Sequence, residues 1–192
     1  AMNGTPRQLV VNTAVDRRFS VEDTEALYSG IQLACDAHQV DLIGGDTSSS
    51  LTGLVISPTC IGEGEEGRVV NRNGAHGTDL ICVYGKQGAA FMGLQLLERE
   101  KSVYLQQQKE GKNTTSVQPD FTGKENMLAR QLKPEARKDI VEILAKEHIV
   151  PTAMMDVSDG LSSELLHICS QSAVGCRIYE DRIPIDYQTA IM

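Results

Sequence analysis

Along the first sixty residues the spacing of apolar positions changes twice, and each change marks an element. Residues 8–15 (QLVVNTAV) are rich in β-branched side chains and read as a strand. Leu27, Ile31 and Ala34 then recur at helical spacing, predicting a helix from Ser20 to about His38. Ser20 suits its N-cap, and Asp23, three residues on, can close a capping box. Residues 40–43 are a short apolar run ending at Gly44-Gly45-Asp46-Thr47, followed by a polar turn over 48–53 and a second strand over 54–61. The order strand, helix, strand, strand predicts an α+β layer with an antiparallel component.

Glycines at 62, 64, 67, 74 and 77 then break the pattern and make this stretch the candidate domain boundary. Residues 79–84 read as a strand, and residues 89–100 as a helix carrying Leu94, Leu96 and Leu97. Residues 102–123 are polar, include Gln106-Gln107-Gln108, and are expected to be a mobile insertion. Pro134 suits the first turn of a helix running to about Glu147. The apolar run 153–157 is expected to be a strand that delivers Asp156, Ser158 and Asp159 to the start of a helix over 161–170. A last strand is expected near 174–179.

Composition narrows the classes. Hydrophobic residues make up 41% of the 192, enough for a packed core. Aromatics are only 4%, with no Trp, so a base-stacking platform is excluded. The net charge is −8 and the basic residues are scattered, which argues against a nucleic-acid partner. No apolar run approaches membrane-spanning length. The five cysteines form no CxxC pair and read as reduced thiols, so a cytoplasmic location is expected.

The chemistry concentrates in Asp156-Val157-Ser158-Asp159-Gly160. Two carboxylates and a hydroxyl at a helix start suit a hard cation and a phosphate group, where free N–H groups favour the anion. A plain helix cap by Ser158 or Asp159, completed by Glu164, fits the local pattern equally well. Gly44-Gly45-Asp46-Thr47 is a second acid at an expected strand end, where two glycines permit a close approach or a tight turn. Arg72, in Asn71-Arg72-Asn73-Gly74-Ala75, is either a phosphate clamp or a solvated loop residue. Gly85-Lys86 is not a P-loop, because Leu80 and Gln87 stand where that motif needs Gly and Ser/Thr. His38, His76, His148 and His167 are dispersed and support no hydrolase triad.

In order along the chain, four segments resemble the thiamine-monophosphate kinase family, within the superfamily of aminoimidazole ribonucleotide synthetase, selenophosphate synthetase and hydrogenase maturation factor HypE. They are residues 40–47 (VDLIGGDT), 71–79 (NRNGAHGTD), 155–161 (MDVSDGL) and 172–176 (SAVGC). The resemblance covers the chain except residues 102–123. It implies ATP-dependent phosphorylation of thiamine monophosphate to thiamine diphosphate. Asp46, Asp156 and Asp159 would then hold Mg²⁺, with Asp156 and Asp159 as the catalytic pair. Gly45, Arg72 and Ser158 would contact the phosphates of ATP.

It also implies a synthetase-like fold. Residues 1–66 would be the C-terminal part of an ATP-binding N-terminal domain. Residues 67–192 would be a C-terminal domain of mixed sheet with helices on one face. The family's leading aspartate cluster and its trailing Gly-Gly-Glu-Asp-Tyr-type element have no counterpart here. The chain is therefore expected to be an internal fragment, inactive alone, of an enzyme that forms a homodimer. Two alternatives remain open: another ATP-dependent synthetase or maturation enzyme of the superfamily, and a non-catalytic nucleotide-binding or dimerisation module.

Overall fold

The computed structural model describes residues 2–111 and 119–191. The chain packs as two compact units, one formed by Ala1–Gly74 with Arg137–Asp156 and the other by Ala75–Ala136 with Val157–Met192.

The first unit is built on a three-stranded sheet. Strand β1 (Thr5–Val15) is central, flanked in parallel by β2 (Asp41–Ser49) and antiparallel by β3 (Val55–Glu63). Helix α1 (Val21–His38) supplies the crossover that a parallel pair requires. It starts where expected: the Ser20 hydroxyl accepts the Asp23 amide, and the Asp23 carboxylate accepts the Ser20 amide. It ends at Gln39, which takes a left-handed conformation and returns its N–H to the last turn. Val11 and Thr13 of β1 and Cys35 of α1 are buried.

The register carries the detail that matters. Leu9 pairs with Leu42 but Val10 pairs with Gly44, so Ile43 is an extra residue in β2. That is a β-bulge, and Gly44 just after it has a φ of 155°, which costs glycine little. Gly45 pairs with Val11, and a Cβ there would run into the Val11 carbonyl. The two glycines therefore serve the sheet itself, and β2 runs straight through the Gly-Gly-Asp-Thr segment instead of turning there.

The second unit packs α2 (Ala89–Lys109) against α3 (Glu125–Leu132), with Ala89, Leu96 and Met127 as its buried centre. Gly93 lets the two helices close, because a Cβ there would strike the Met127 backbone. Helix α5 (Leu161–Ser172), a 3₁₀ turn (Glu180–Arg182) and the short α6 (Tyr187–Ala190) follow. Helix α4 (Lys138–Lys146) belongs to the first unit.

The α+β class holds, but several expected elements differ. Residues 79–84, 153–157 and 174–179 are not strands: apolar alternation needs a ladder partner, and among the described residues none is aligned with them. Among the described residues a single parallel bridge, Gln87 to Ile185, is all the pairing outside the sheet. Residues 102–109, expected to be loose, continue α2. Leu105, the three glutamines and Lys109 are good helix formers, and Gln106 bonds to Glu110 one turn on. Residues 112–118 of that stretch lie outside the described residues. Helix α4 begins at Lys138, four residues after Pro134, and α3 lies where no helix was expected.

Gly45→Ala is expected to destabilise the first unit by about 1–3 kcal/mol, because the strands must part to admit the methyl group. Gly30→Ala in α1, where an added Cβ meets nothing within 4 Å, should leave stability unchanged or raised. Chemical denaturation of the two variants checks the contrast.

Candidate functional site

Side chains alternate across a strand, so the bulge at Ile43 decides what β2 presents on each face. Beyond it Thr47 pairs with Thr13, and Asp46 with Asn12. The Thr13 and Thr47 hydroxyls lie 3.0 Å apart, and the Tyr28 hydroxyl of α1 is 3.4 Å from each. That hydroxyl cluster marks the face covered by α1. Hydrogen bonds from Thr13 and then Thr47 hold the Tyr28 phenol below its ordinary pKa.

Asp46 therefore points to the opposite face. Its cross-strand neighbour Asn12 pairs in turn with Ser57 of β3. The three make one polar row, all exposed. Beside β2, an edge strand, an open groove of about 440 Å³ is lined by Tyr28, Leu42, Ile43, Gly44, Gly45, Asp46 and Thr47.

Arg72 and Asp156 share the first unit with Asp46. Their two segments run side by side, since the Met154 amide donates to the Asn71 carbonyl at 3.0 Å. Gly74, at a φ of 115°, closes that contact, and a Cβ there would lie 2.6 Å from the Thr152 carbonyl oxygen. The Asp156 carboxylate is exposed.

Ser158 and Asp159 lie in the second unit. Neither caps α5. The N-cap is Gly160, at a φ of 114°, with no side-chain cap. The buried Glu164, 3% exposed, turns back instead. Its Oε1 accepts the Asp159 amide at 2.9 Å, the Ser158 amide at 3.4 Å and the Ser158 hydroxyl at 3.5 Å. Glu164 thus occupies the two amides ahead of the N-cap. What the loop offers a ligand is the exposed Asp159 carboxylate and the Ser158 hydroxyl. Within either unit, no three described His, Cys, Asp or Glu side chains form a ready-made metal cage.

Comparison with known proteins points one way. The model of the AIR synthase related protein, N-terminal domain, matches residues 1–63. A thiamine-monophosphate kinase of Bacillus subtilis is 33% identical over 185 residues, 96% of this chain and 52% of that protein. One from Aquifex aeolicus is 30% identical, over 96% of this chain and 53% of its own length. A solved structure of AaThiL complexed with AMPPCP and TMP matches at a TM-score of 0.82 and 28% identity, covering 100% of this chain and 55% of that one.

The chain is similar to the thiamine-monophosphate kinases over nearly all of its length. It spans about half the length of the curated relatives it matches. A hydrogenase maturation protein HypE, at a TM-score of 0.71 but only 21% identity, shares the fold alone. The kinase likeness agrees with the order of the four motifs. Two residues beside those motifs were invisible as participants in the sequence, Asn12 and Ser57, joined to Asp46 by register; Glu164 was read there as completing a cap, and its burial is what the structure adds.

Glu164→Ala is expected to speed hydrogen exchange at the Ser158 and Asp159 amides by roughly 10- to 100-fold, as loss of about 1–3 kcal/mol of charge-assisted bonding requires. Glu164→Gln, which keeps an acceptor, should change them less. Unchanged exchange in the alanine variant would mean that the loop is held by something else.

Proposed function

We propose that this chain contributes to ATP-dependent phosphorylation of thiamine monophosphate, giving thiamine diphosphate. The observation that carries the reading is the Asp46–Asn12–Ser57 row, raised on the motif-bearing strand of a chain whose kinase relatives match nearly all of it. The AMPPCP and TMP held by a structural neighbour support a nucleoside triphosphate and thiamine monophosphate as the two ligands.

The chemistry asks little of the protein beyond positioning. The acceptor is a phosphate oxygen already ionised at neutral pH, so no general base is needed. The absence of a histidine-centred triad costs nothing for such a reaction. The main obstacle is repulsion between two anionic phosphates, made worse by the chain's own charge of −8. Mg²⁺, when bound, neutralises that charge. Asp46, Asp156 and Asp159 are exposed hard-oxygen donors suited to it, and Mg²⁺ needs few protein ligands because waters and phosphates complete its shell. Asp156 and Asp159 form the catalytic pair in this reading. Arg72 and the Ser158 hydroxyl steady the phosphates, and the Gly45 backbone lies against them.

Residues 1–66 would then be the C-terminal part of the ATP-binding N-terminal domain, which the matched model over 1–63 supports. Residues 67–192 would form the synthetase-like domain. A homodimeric assembly and a cytoplasmic location go with the same reading. Among the described residues no helix is long and apolar enough to cross a membrane.

Phosphorus NMR of the full-length protein with ATP, Mg²⁺ and thiamine monophosphate tests the proposal, the expected product being thiamine diphosphate. Asp46→Asn and Asp159→Asn should each lower turnover by about 100-fold or more while the fold is kept. ATP binding with turnover unmoved by both would favour a non-catalytic module, and absence of the product would sink the kinase reading. The chain by itself is expected to show no turnover.

A further inference from the structure

Helix α5 starts just after a loop that no regular structure supports. Val157, Ser158 and Asp159 lie on no strand and no helix, so neither a ladder nor a helical turn fixes their backbone. Gly160, at a φ of 114° and a ψ of 147°, leads the chain away from the helix axis and leaves Ser158 and Asp159 ahead of the N-cap. Glu164, in the first turn, is anchored from behind. Its amide donates to the Gly160 carbonyl at 3.2 Å, and its neighbour Leu165 is buried.

From that anchor the Glu164 side chain spans back to the loop. A single oxygen, Oε1, accepts the Asp159 amide, the Ser158 amide and the Ser158 hydroxyl. At 3% exposure there is little water to replace those bonds, so the contact is costly to open. The Asp159 carboxylate, by contrast, is exposed. One acid faces inward and holds the backbone, and the other faces outward.

We propose that Glu164 is a positioning residue for the phosphoryl transfer: its reach from the first turn of α5 sets the direction of the Asp159 carboxylate and the Ser158 hydroxyl. The assignment rests on the kinase reading above and deepens it, with Glu164 acting only through its two partners. Reach matters here more than charge. The donors are neutral, so an uncharged oxygen in the same place still receives them. Misplacing a working group by about 1 Å costs on the order of 100-fold in rate. Such a loss falls on the transition state more than on substrate binding.

Two substitutions separate reach from charge. Glu164→Gln keeps the reach and removes the charge. Glu164→Asp keeps the charge and draws the oxygen back by one C–C bond, about 1.5 Å. Steady-state kinetics of the full-length protein with ATP, Mg²⁺ and thiamine monophosphate compare them. Glu164→Asp is expected to lower kcat by about 10- to 100-fold, with KM for either substrate moved by less than about threefold. Glu164→Gln should keep kcat within about threefold of the wild type. Hydrogen exchange at the Ser158 and Asp159 amides should rise more in Glu164→Asp than in Glu164→Gln, and urea unfolding of both variants should stay close to wild type. Wild-type kcat in Glu164→Asp, the reverse order of the two variants, or activity lost only in step with folded protein would overturn the assignment and leave the kinase reading standing. Failure of the wild type itself to form thiamine diphosphate would overturn both.

Discussion

Ile43 is one residue too many for its partner strand, and the presentation of Asp46 depends on that mismatch. Alternation along β2 would otherwise put Asp46 opposite Thr13, on the face of the Thr13–Tyr28 hydroxyls. The bulge reverses the two faces. Thr47 joins Thr13 and Tyr28 beneath the helix, and Asp46 stands out beside Asn12. Both glycines of the motif follow from the same constraint. Gly44 takes the backbone conformation that the bulge imposes, and Gly45 lets the strands stay in register next to it.

The second acidic segment is presented by different means. Ser158 and Asp159 lie on no strand, and their loop is held by a buried carboxylate behind it. Glu164 spends its acceptor on the Ser158 and Asp159 amides, just ahead of the helix. What the loop leaves exposed is the Asp159 carboxylate and the Ser158 hydroxyl. Strand and loop share one outcome, since each leaves an aspartate carboxylate open to solvent.

Much of this was legible along the chain where the signal was local. The capping box of Ser20 and Asp23 is a four-residue pattern and appears as read. Helix α5 begins at the Leu161 expected from its apolar spacing. Strands failed where pairing was assumed: residues 79–84 have the composition of a strand, yet Leu80 and Ile81 stand exposed without a ladder. Residues 102–109 failed in the other direction, because polarity was taken for looseness although Gln and Lys sustain a helix well.

The sequence by itself determined which residue types are available and in what order: three aspartates, an arginine and a serine in motifs ordered as in the kinase relatives, on an α+β chain. These follow from composition, short-range periodicity and cap chemistry, each set by residues a few positions apart. Tertiary structure alone decided the face on which Asp46 lies, the partners it has in Asn12 and Ser57, and the burial of Glu164. A one-residue slip in pairing inverts a strand, and burial turns an ordinary carboxylate into a strut. Both depend on neighbours distant in sequence.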